Sequence, residues 1–312
     1  MIKKKVLIFG ASGQIGRNII RKITLKNYKV TAVTRNAHKS IFLKTQAPLG
    51  YLDIVEENIF DQKILEKLIE PHDVCINLIG ILYEKKNNSF KNIHVNFPAM
   101  ISKICKNYNI DQFIHLSALG VENAKNDSKY AQSKFEGENI VFQNFENSTV
   151  LKPSIVYSQD DNFTTRFLSL LSLFPVFPLF GNPKFSPIHC KDLSEIIVGL
   201  IEKNICSETI ECIGPQTLYF KEILKVLSKS INKKHFFISV PTPIAKIFAK
   251  TSEILPTPLI TLDQLRLLKY NNIATGNFKT QNDYGFKADL KFENEVKKYS
   301  YMWTERGEYS RN

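Results

Sequence analysis

The chain has 312 residues, of which 43% are hydrophobic, so it has enough apolar material to bury a large core. The apolar run at residues 6–9 is too short for the hydrophobic region of a signal peptide and ends in glycine. The five cysteines are scattered, without a CxxC pair or a histidine cluster at metal-ligand spacing. The composition argues against a secreted disulfide scaffold and against a metal site, and we expect a cytoplasmic protein with reduced, mostly buried thiols.

The formal net charge of +12 comes from 42 basic and 30 acidic residues. One explanation is a polyanionic partner, such as nucleic acid, an anionic membrane surface or a phosphorylated ligand. The other is a lysine-rich, solvated surface. Only seven basic residues are arginine, and the lysines are spread along the chain rather than interleaved with aromatic residues, which is poor material for reading bases or phosphates. The solvated surface is favoured, and no nucleic-acid partner is expected.

Through the first half of the chain, short β-rich runs alternate with segments of helical periodicity. Strands are predicted at residues 5–9, 30–34, 52–55, 74–79, 113–116 and 149–151, and helices at 15–23, 64–69, 93–108 and 130–142. Apolar strands separated by helices imply a parallel sheet that is covered on both faces. We therefore expect an α/β fold with a doubly wound parallel (Rossmann) sheet in residues 1–157.

The alternation ends after about residue 157. Helical stretches with prolines dominate there, among them "DLSEIIVGLIEK", "FKEILKVLSKSI" and "TLDQLRLLKY", with short strands near 209–213 and 236–240. We expect residues 158–312 to form a smaller, mostly helical lobe on the substrate side, parts of which return to the sheet.

The segment 167–180, "FLSLLSLFPVFPLF", is nearly all apolar but is interrupted by Pro175 and Pro178. The prolines exclude a helix that spans a bilayer. We expect this segment to be core or to line a substrate cleft, and contact with a membrane interface is the alternative.

Three glycines in "FGASGQIG" stand between the first strand and the first helix: Gly10, Gly13 and Gly16. A strand, a glycine-rich turn and a helix aim backbone N–H groups and the positive end of the helix dipole at a pyrophosphate. Gly10 is expected to make the tight turn, Gly13 to let the ligand approach the backbone, and Gly16 to let the helix pack closely on the strand. The sequence therefore predicts dinucleotide binding.

The end of the second strand indicates which dinucleotide is bound. An NAD site usually places a carboxylate there, on the ribose 2′-hydroxyl. Here the strand ends "VTAVTRN", with Arg35 at that place and Lys39 nearby. Arg35 would pair with a 2′-phosphate, so NADP(H) is favoured over NAD(H). The alternative is that Arg35 is a solvated loop residue.

A second group of residues lies in "HLSALG" at 115–120 and "SKYAQSKFEGE" at 128–138. Tyr130 and Lys134 are four residues apart, which places both on one face of a helix. The ammonium of Lys134 is expected to lower the pKa of Tyr130, and Ser117 is expected to hydrogen-bond a substrate carbonyl or alcohol. The set indicates an oxidoreductase in which Tyr130 is the general acid or base.

With these motifs the sequence resembles the short-chain dehydrogenase/reductase superfamily, in its extended or atypical branch of NAD-dependent epimerases and dehydratases. More narrowly, it is similar to the family of the NAD(P)H-binding accessory subunit of respiratory complex I, NADH:ubiquinone oxidoreductase, and its bacterial relatives. The similarity extends over "VCINLIGILYE", "FKNIHVNFPAMI", "LKPSIVY", "FSPIHCKDL" and "ITLDQLRLLKYNNI". It implies association with complex I or quinone metabolism, peripherally at the inner face of the membrane.

The resemblance also implies roles for individual residues. Those expected along the pyrophosphate are Gly10, Ser12, Gly13, Gln14, Ile15 and Gly16, with Arg35 at the 2′-phosphate. Those expected to border the rest of the cofactor are Asn77, Leu78, Ile79, Gly80, Tyr130, Lys134, Pro153 and Ser154. The catalytic set would be Ser117, Tyr130 and Lys134.

Two departures from the superfamily's sequence pattern argue against a sugar-nucleotide-modifying enzyme. His94 stands where sugar-nucleotide-modifying relatives commonly have asparagine, and Ser117 precedes Tyr130 by only 13 residues. Three functions remain. The first is an NADP(H)-binding protein whose nucleotide stabilises the fold and an association with the respiratory chain, and the second is an active NADPH-dependent oxidoreductase on an apolar carbonyl or quinone. The third, a sugar-nucleotide epimerase or dehydratase, is the least favoured.

Overall fold

A computed structural model describes residues 2–85, 88–255, 257–305 and 307. The strands of the first half are β1 (Lys5–Phe9), β2 (Lys29–Thr34), β3 (Leu52–Glu56), β4 (Val74–Asn77), β5 (Gln112–Leu116), β6 (Ser148–Pro153) and β7 (Val156–Tyr157). Its helices are α1 (Gln14–Thr24), α2 (Gln62–Ile69), α3 (Phe97–Asn107), α4 (Val121–Ala124) and α5 (Lys129–Asn144). A 3-10 segment covers His38–Gln46, and a π-helical segment, Lys91–Asn96, leads directly into α3.

The second half continues with α6 (Thr164–Leu173), β8 (Val176–Leu179), β9 (Lys184–Phe185), β10 (Ile188–His189), α7 (Cys190–Glu202), β11 (Glu208–Cys212) and β12 (Leu218–Tyr219). Then come α8 (Phe220–Ser230), β13 (Phe236–Ser239), α9 (Thr242–Ser252), α10 (Leu262–Leu267), β14 (Lys279–Thr280) and α11 (Phe292–Lys297). Short 3-10 segments at Gln281–Tyr284 and Ser300–Trp303 flank α11.

An eight-stranded sheet forms the centre, in the order β14-β11-β6-β5-β4-β1-β2-β3, and its neighbouring strands are parallel. Strand β1 shows why both faces need cover, because its last four residues, 6–9, are fully buried. Val6 and Ile8 pack in one apolar cluster with residues of α1 and α7. Leu7 and Phe9 pack in a second cluster with residues of α2 and α3. The predicted doubly wound α/β fold is confirmed.

The second half of the chain contributes to this sheet as well as to a core of its own. Strand β11 pairs with β6 and β14 pairs with β11, both in parallel, and α7 packs on the face that carries α1. A third apolar cluster joins residues of α6, α8 and α11. The division at residue 157 stays a prediction.

The apolar segment 167–180 divides between core and surface. Leu168, Leu171 and Phe177 are buried in the third cluster, whereas Leu173 and Phe174 are exposed. No described helix combines the length and the apolar character that crossing a bilayer requires. All five cysteines are free thiols, and four of them are buried.

Candidate functional site

The glycine-rich turn has the geometry that its sequence predicts. Gly10 follows β1 with a φ of +79°, a conformation that side chains other than glycine rarely adopt. A Cβ atom on Gly16 would lie 2.5 Å from the carbonyl oxygen of Ala11, so only glycine lets α1 approach this closely. A Cβ on Gly13, in contrast, would meet only the carbonyl oxygen of Gly10, at 3.3 Å. The backbone at Gly13 is therefore open on its outer side.

The start of α1 is left uncapped by the protein. Gly13 precedes the helix, no side chain of the described residues accepts a hydrogen bond from the first turn, and that turn has no acidic residue. Ser12 and Gly13 are exposed, while Gln14 and Ile15 are half-buried. The first N–H groups of a helix need acceptors, and the helix dipole favours a negative one. The residues present therefore fit a pyrophosphate.

A loop from the second half of the chain lies beside this turn. The hydroxyl of Ser158 donates to Oε1 of Gln14 at 2.6 Å, and Asp160 forms an ion pair with Arg17. Nε of Arg17 also donates to the carbonyl of Gly13, at 3.3 Å. The sequence did not indicate the contacts of Ser158 and Asp160, because they join residues more than 140 positions apart.

Arg35 is exposed directly after β2. Within the described residues, its guanidinium group makes no hydrogen bond and no ion pair. The acidic side chain at the end of β3, Glu56, accepts a hydrogen bond from the backbone N–H of Ala37 at 2.7 Å. The Arg35 side chain is therefore free to pair with an anionic ligand.

The segment after β4 connects the glycine-rich turn to α5. A Cβ atom on Gly10 would lie 3.3 Å from Cγ1 of Ile79 and 3.3 Å from the carbonyl carbon of Leu78. At the other end, a Cβ atom on Gly80 would lie 3.3 Å from Nζ of Lys134. The structure thus brings Gly10, Ile79, Gly80 and Lys134 into one continuous path along the edge where the parallel strands end.

Lys134 is buried, and its ammonium is held by the backbone. Nζ donates to the carbonyl oxygen of Leu116 at 3.0 Å. Burial lowers the pKa of Lys134 to about 8, and the nearby carboxylate of Glu138 partly opposes that shift.

The expected effect of Lys134 on Tyr130 is wrong. The pKa of Tyr130 is raised to about 12, first by burial and then by the negative charges of Glu138 and Asp263. The Lys134 ammonium itself binds the Leu116 carbonyl. Tyr130 stays protonated through neutral pH, so it can donate a proton but is a poor base there.

Ser117 lies at the end of β5 and is engaged by the protein. Its hydroxyl donates to Oε1 of Glu138, and Nζ of Lys152 lies 3.2 Å from Oε2 of the same carboxylate. Lys152 is fully buried on β6 and also forms an ion pair with Glu122. Burial raises the pKa of Glu138 to about 7. This buried network holds β5, α5 and β6 together next to Tyr130.

His94 is the centre of a second buried chain of hydrogen bonds. Its Nε2 accepts from the N–H of Ile81 at 3.1 Å, and its Nδ1 lies 2.9 Å from the hydroxyl of Ser133. Ser133 in turn donates to the carbonyl of Tyr130 at 2.8 Å. Burial lowers the pKa of His94 to about 2, so the ring is neutral and both nitrogens are satisfied. His94 positions α5 against the segment after β4.

Pro153 and Ser154, at the end of β6, are both buried. The carbonyl of Pro153 accepts from the N–H of Leu119 at 2.9 Å. The hydroxyl of Ser154 donates to Asn272 and accepts from the N–H of Ser186 at 3.1 Å. Both residues lie at the same sheet edge as the glycine-rich turn, but the hydroxyl of Ser154 is already hydrogen-bonded to other residues of the protein.

The model of the RmlD substrate binding domain matches residues 4–220. The chain belongs to this family. The match covers the whole parallel sheet except β14, together with the glycine-rich turn and the Tyr130 helix.

Two curated relatives extend the similarity beyond that family. The NADH-ubiquinone oxidoreductase 40 kDa subunit of Neurospora crassa mitochondria is 26% identical over 91% of this chain and 76% of its own. The mitochondrial NADH dehydrogenase (ubiquinone) 1 alpha subcomplex subunit 9 of Mus musculus is 26% identical over 76% of this chain. The chain spans 63% of the mouse protein's length. The resemblance to the accessory-subunit family of complex I is confirmed.

Among solved structures, the UDP-glucuronic acid 4-epimerase of Bacillus cereus, in complex with UDP-glucuronic acid and NAD, has the same fold. The TM-score is 0.70 at 18% identity, over 95% of this chain and 98% of the epimerase. That epimerase binds a nicotinamide dinucleotide. At this identity the likeness shows the fold alone.

Sequence reasoning missed Glu138 and Lys152. Glu138 stands eight residues after Tyr130 and four after Lys134, so its place on the same helix face was readable. Lys152 interrupts an apolar strand, and a lysine in a fully buried strand requires a negative partner. Which carboxylates it meets depends on the tertiary fold.

Proposed function

We propose that this protein is an NADP(H)-binding accessory protein of the respiratory chain, peripheral to the inner face of the membrane. Its nucleotide stabilises the fold and the association with complex I or a quinone-linked enzyme. The observation that carries the proposal is the similarity, over most of the chain, to accessory subunits of NADH:ubiquinone oxidoreductase.

The residues that would hold the nucleotide follow from the geometry of the sheet edge. The open backbone at Gly13 and the uncapped first turn of α1 suit the pyrophosphate. The unpaired guanidinium of Arg35 suits a 2′-phosphate and supports NADP(H) over NAD(H). The nicotinamide end would lie along Ile79, Gly80 and Lys134. A bound NADPH supplies hydride-transfer chemistry.

Three features support a structural rather than a reactive nucleotide. The hydroxyl of Ser117 already donates to Glu138, so it is not free to hold a substrate carbonyl. Burial raises the pKa of Tyr130 to about 12, so the phenol stays protonated at neutral pH. Lys134 is bound to the Leu116 carbonyl. Binding groups are therefore present, while the groups expected to react are committed to protein contacts.

The deciding experiment combines native mass spectrometry with affinity capture from respiratory membranes. Purified protein should carry one NADPH that does not exchange during dialysis, and the capture should enrich subunits of complex I. The Gly13→Val variant is the control, since it should lose both the nucleotide and the enrichment. Protein that purifies without any nucleotide and captures no respiratory subunit would contradict the proposal.

A second function, an active oxidoreductase, is favoured by one observation. Tyr130 is protonated at neutral pH and shares a helix face with Lys134, which suits proton donation to a carbonyl or quinone during reduction. The reverse direction needs a tyrosinate, which is scarce at neutral pH. A sugar-nucleotide epimerase would need both directions and is therefore the least supported.

A further inference from the structure

The two-stranded sheet β8–β13 is apolar on both faces. Val176 pairs with Phe236, and Pro178 pairs with Ile238, in parallel register. The alternate residues, including Phe177, pack into the third core. The outward residues Val176, Phe236 and Ile238 are nonetheless 46%, 74% and 55% exposed. Parallel strands that are apolar on both faces are normally covered on both, so this outer face lacks a cover.

Helix α9 also carries large apolar residues on its exposed side. Its small residues, Ala245 and Ala249, are buried against the protein. Its large apolar residues, Ile244, Ile247 and Phe248, are exposed. A surface helix usually turns its large apolar residues toward the core, and α9 does the reverse.

These two elements are connected to each other. The N–H of Val240, between β13 and α9, donates to the carbonyl of Leu179 at 2.9 Å. Phe248 of α9 stacks on Phe180, with ring centroids 5.4 Å apart. We call the outward residues of both elements the outer apolar face: Val176, Phe236, Ile238, Ile244, Ile247 and Phe248. Exposed apolar patches of this kind mark interaction sites.

The chain segment that carries most of the outer apolar face is rich in positive charge. Residues 223–252 contain six lysines and no aspartate or glutamate. Four of these lysines border a hollow of about 660 Å³, and Phe236 of the outer apolar face is also part of its lining. The lysines at the hollow are Lys225, Lys229, Lys233 and Lys234, and Lys246 and Lys250 lie on α9.

Two of these lysines have protein partners. Lys229 lies 3.9 Å from Glu293, and Lys233 donates to the carbonyl of Ser172 at 2.8 Å. The remaining four keep their charge available to an anionic surface. Large apolar side chains bordered by lysines are typical of elements that lie in the interface of an anionic bilayer.

We propose that the outer apolar face inserts into the interfacial region of a bilayer that contains anionic lipids. Lys225, Lys234, Lys246 and Lys250 meet the headgroups. The inference rests on the proposed membrane association and names the surface responsible for it. The outer apolar face and the glycine-rich turn share no residue. Loss of membrane binding can therefore be distinguished from loss of nucleotide binding.

Vesicle flotation tests the proposal with the full chain. The protein should float with vesicles of phosphatidylcholine and phosphatidylglycerol at low salt, and much less with phosphatidylcholine alone. The double variant Phe236→Ser, Ile247→Ser should bind at least about tenfold more weakly, because two anchors are lost. Each of Lys246→Gln and Lys250→Gln should weaken binding about fivefold. Leu49→Ser, at an exposed leucine distant in the sequence, should bind like the wild type.

A second measurement does not depend on removing apolar side chains. Phe236→Trp keeps the face apolar, and its tryptophan emission should shift to shorter wavelength on anionic vesicles beyond any shift of the wild type. No flotation with anionic vesicles at low salt would overturn the proposal, as would an equal loss in Leu49→Ser. Binding to solubilised respiratory complex but to no vesicle would assign the face to a protein partner and would also overturn it.

Discussion

Ser117, at the end of β5, donates its hydroxyl hydrogen to Oε1 of Glu138, 21 residues further along the chain. The other oxygen of that carboxylate lies 3.2 Å from the ammonium of Lys152 on β6. A residue expected to bind substrate is therefore part of a buried network of the protein itself.

The first prediction concerns this carboxylate. Burial raises the pKa of Glu138 from 4.5 to about 7, so the folded protein holds a proton that the unfolded chain releases. The contribution to stability is complete below pH 4.5 and is lost as the pH rises through about 7. In Glu138→Gln, the fall in unfolding free energy over that range should be shallower, as measured by urea denaturation. Glu136→Gln, at an exposed position of the same helix, is the control and should keep the wild-type slope.

The second prediction concerns cofactor choice. Arg35 is exposed and unpaired within the described chain, so it is free to bind a 2′-phosphate. A charge-assisted hydrogen bond is worth about 1.5–3 kcal/mol, which predicts that NADPH binds roughly ten- to a hundredfold more tightly than NADH. Arg35→Asp should reverse the order in calorimetric titration. Arg21→Asp, on α1, changes the net charge by the same amount and should leave NADPH the tighter-binding cofactor. Equal affinities of the wild type for NADPH and NADH would contradict the prediction.

The third prediction compares two glycines of one turn. A Cβ on Gly13 meets only a carbonyl oxygen at 3.3 Å, so Gly13→Ala should fold normally yet lose at least about tenfold in nucleotide affinity, because the methyl group takes the ligand's place. A Cβ on Gly16 meets backbone atoms of Ala11 from 2.5 Å, so Gly16→Ala should lose about 1–3 kcal/mol of stability. Thermal melting and titration of both variants measure this division. Similar effects of the two changes would refute it.

The fourth prediction separates a structural nucleotide from a reactive one. With Ser117 and Lys134 engaged by protein groups, we expect wild type and Tyr130→Phe to oxidise NADPH equally slowly with a panel of quinones and apolar ketones. Both should bind NADPH with equal affinity, which serves as the internal control. A fall in turnover of about 10²- to 10⁴-fold in Tyr130→Phe would instead establish Tyr130 as a general acid.

Periodicity was sufficient for the elements that carry the site. The four buried residues of β1 and the isoleucine spacing of α1 predicted both elements to within one residue, because burial on both faces leaves a distinctive pattern. Strand β14 was missed because its two residues, Lys279 and Thr280, contain no pattern to read.

The side-chain chemistry of the site was less predictable. The sequence placed Tyr130 and Lys134 on one helix face, and α5 contains both. It did not reveal the charge of Asp263, which α10 brings to the start of α5, where it accepts hydrogen bonds from the backbone N–H groups of Lys129 and Tyr130. Burial sets the direction of the Tyr130 pKa shift, and the charges of Glu138 and Asp263 add to it.

The pairing of β11 with β6 affects how the chain matures during synthesis. When the first 157 residues have emerged from a ribosome, β6 is the outermost strand, and its unpaired N–H and C=O groups await β11, more than fifty residues away. The isoleucines of α1 likewise lack α7, which covers them in the finished molecule. Bare strand edges and apolar surface promote aggregation, so the nascent half-chain is most vulnerable in this interval. Completion of the second half therefore protects the first.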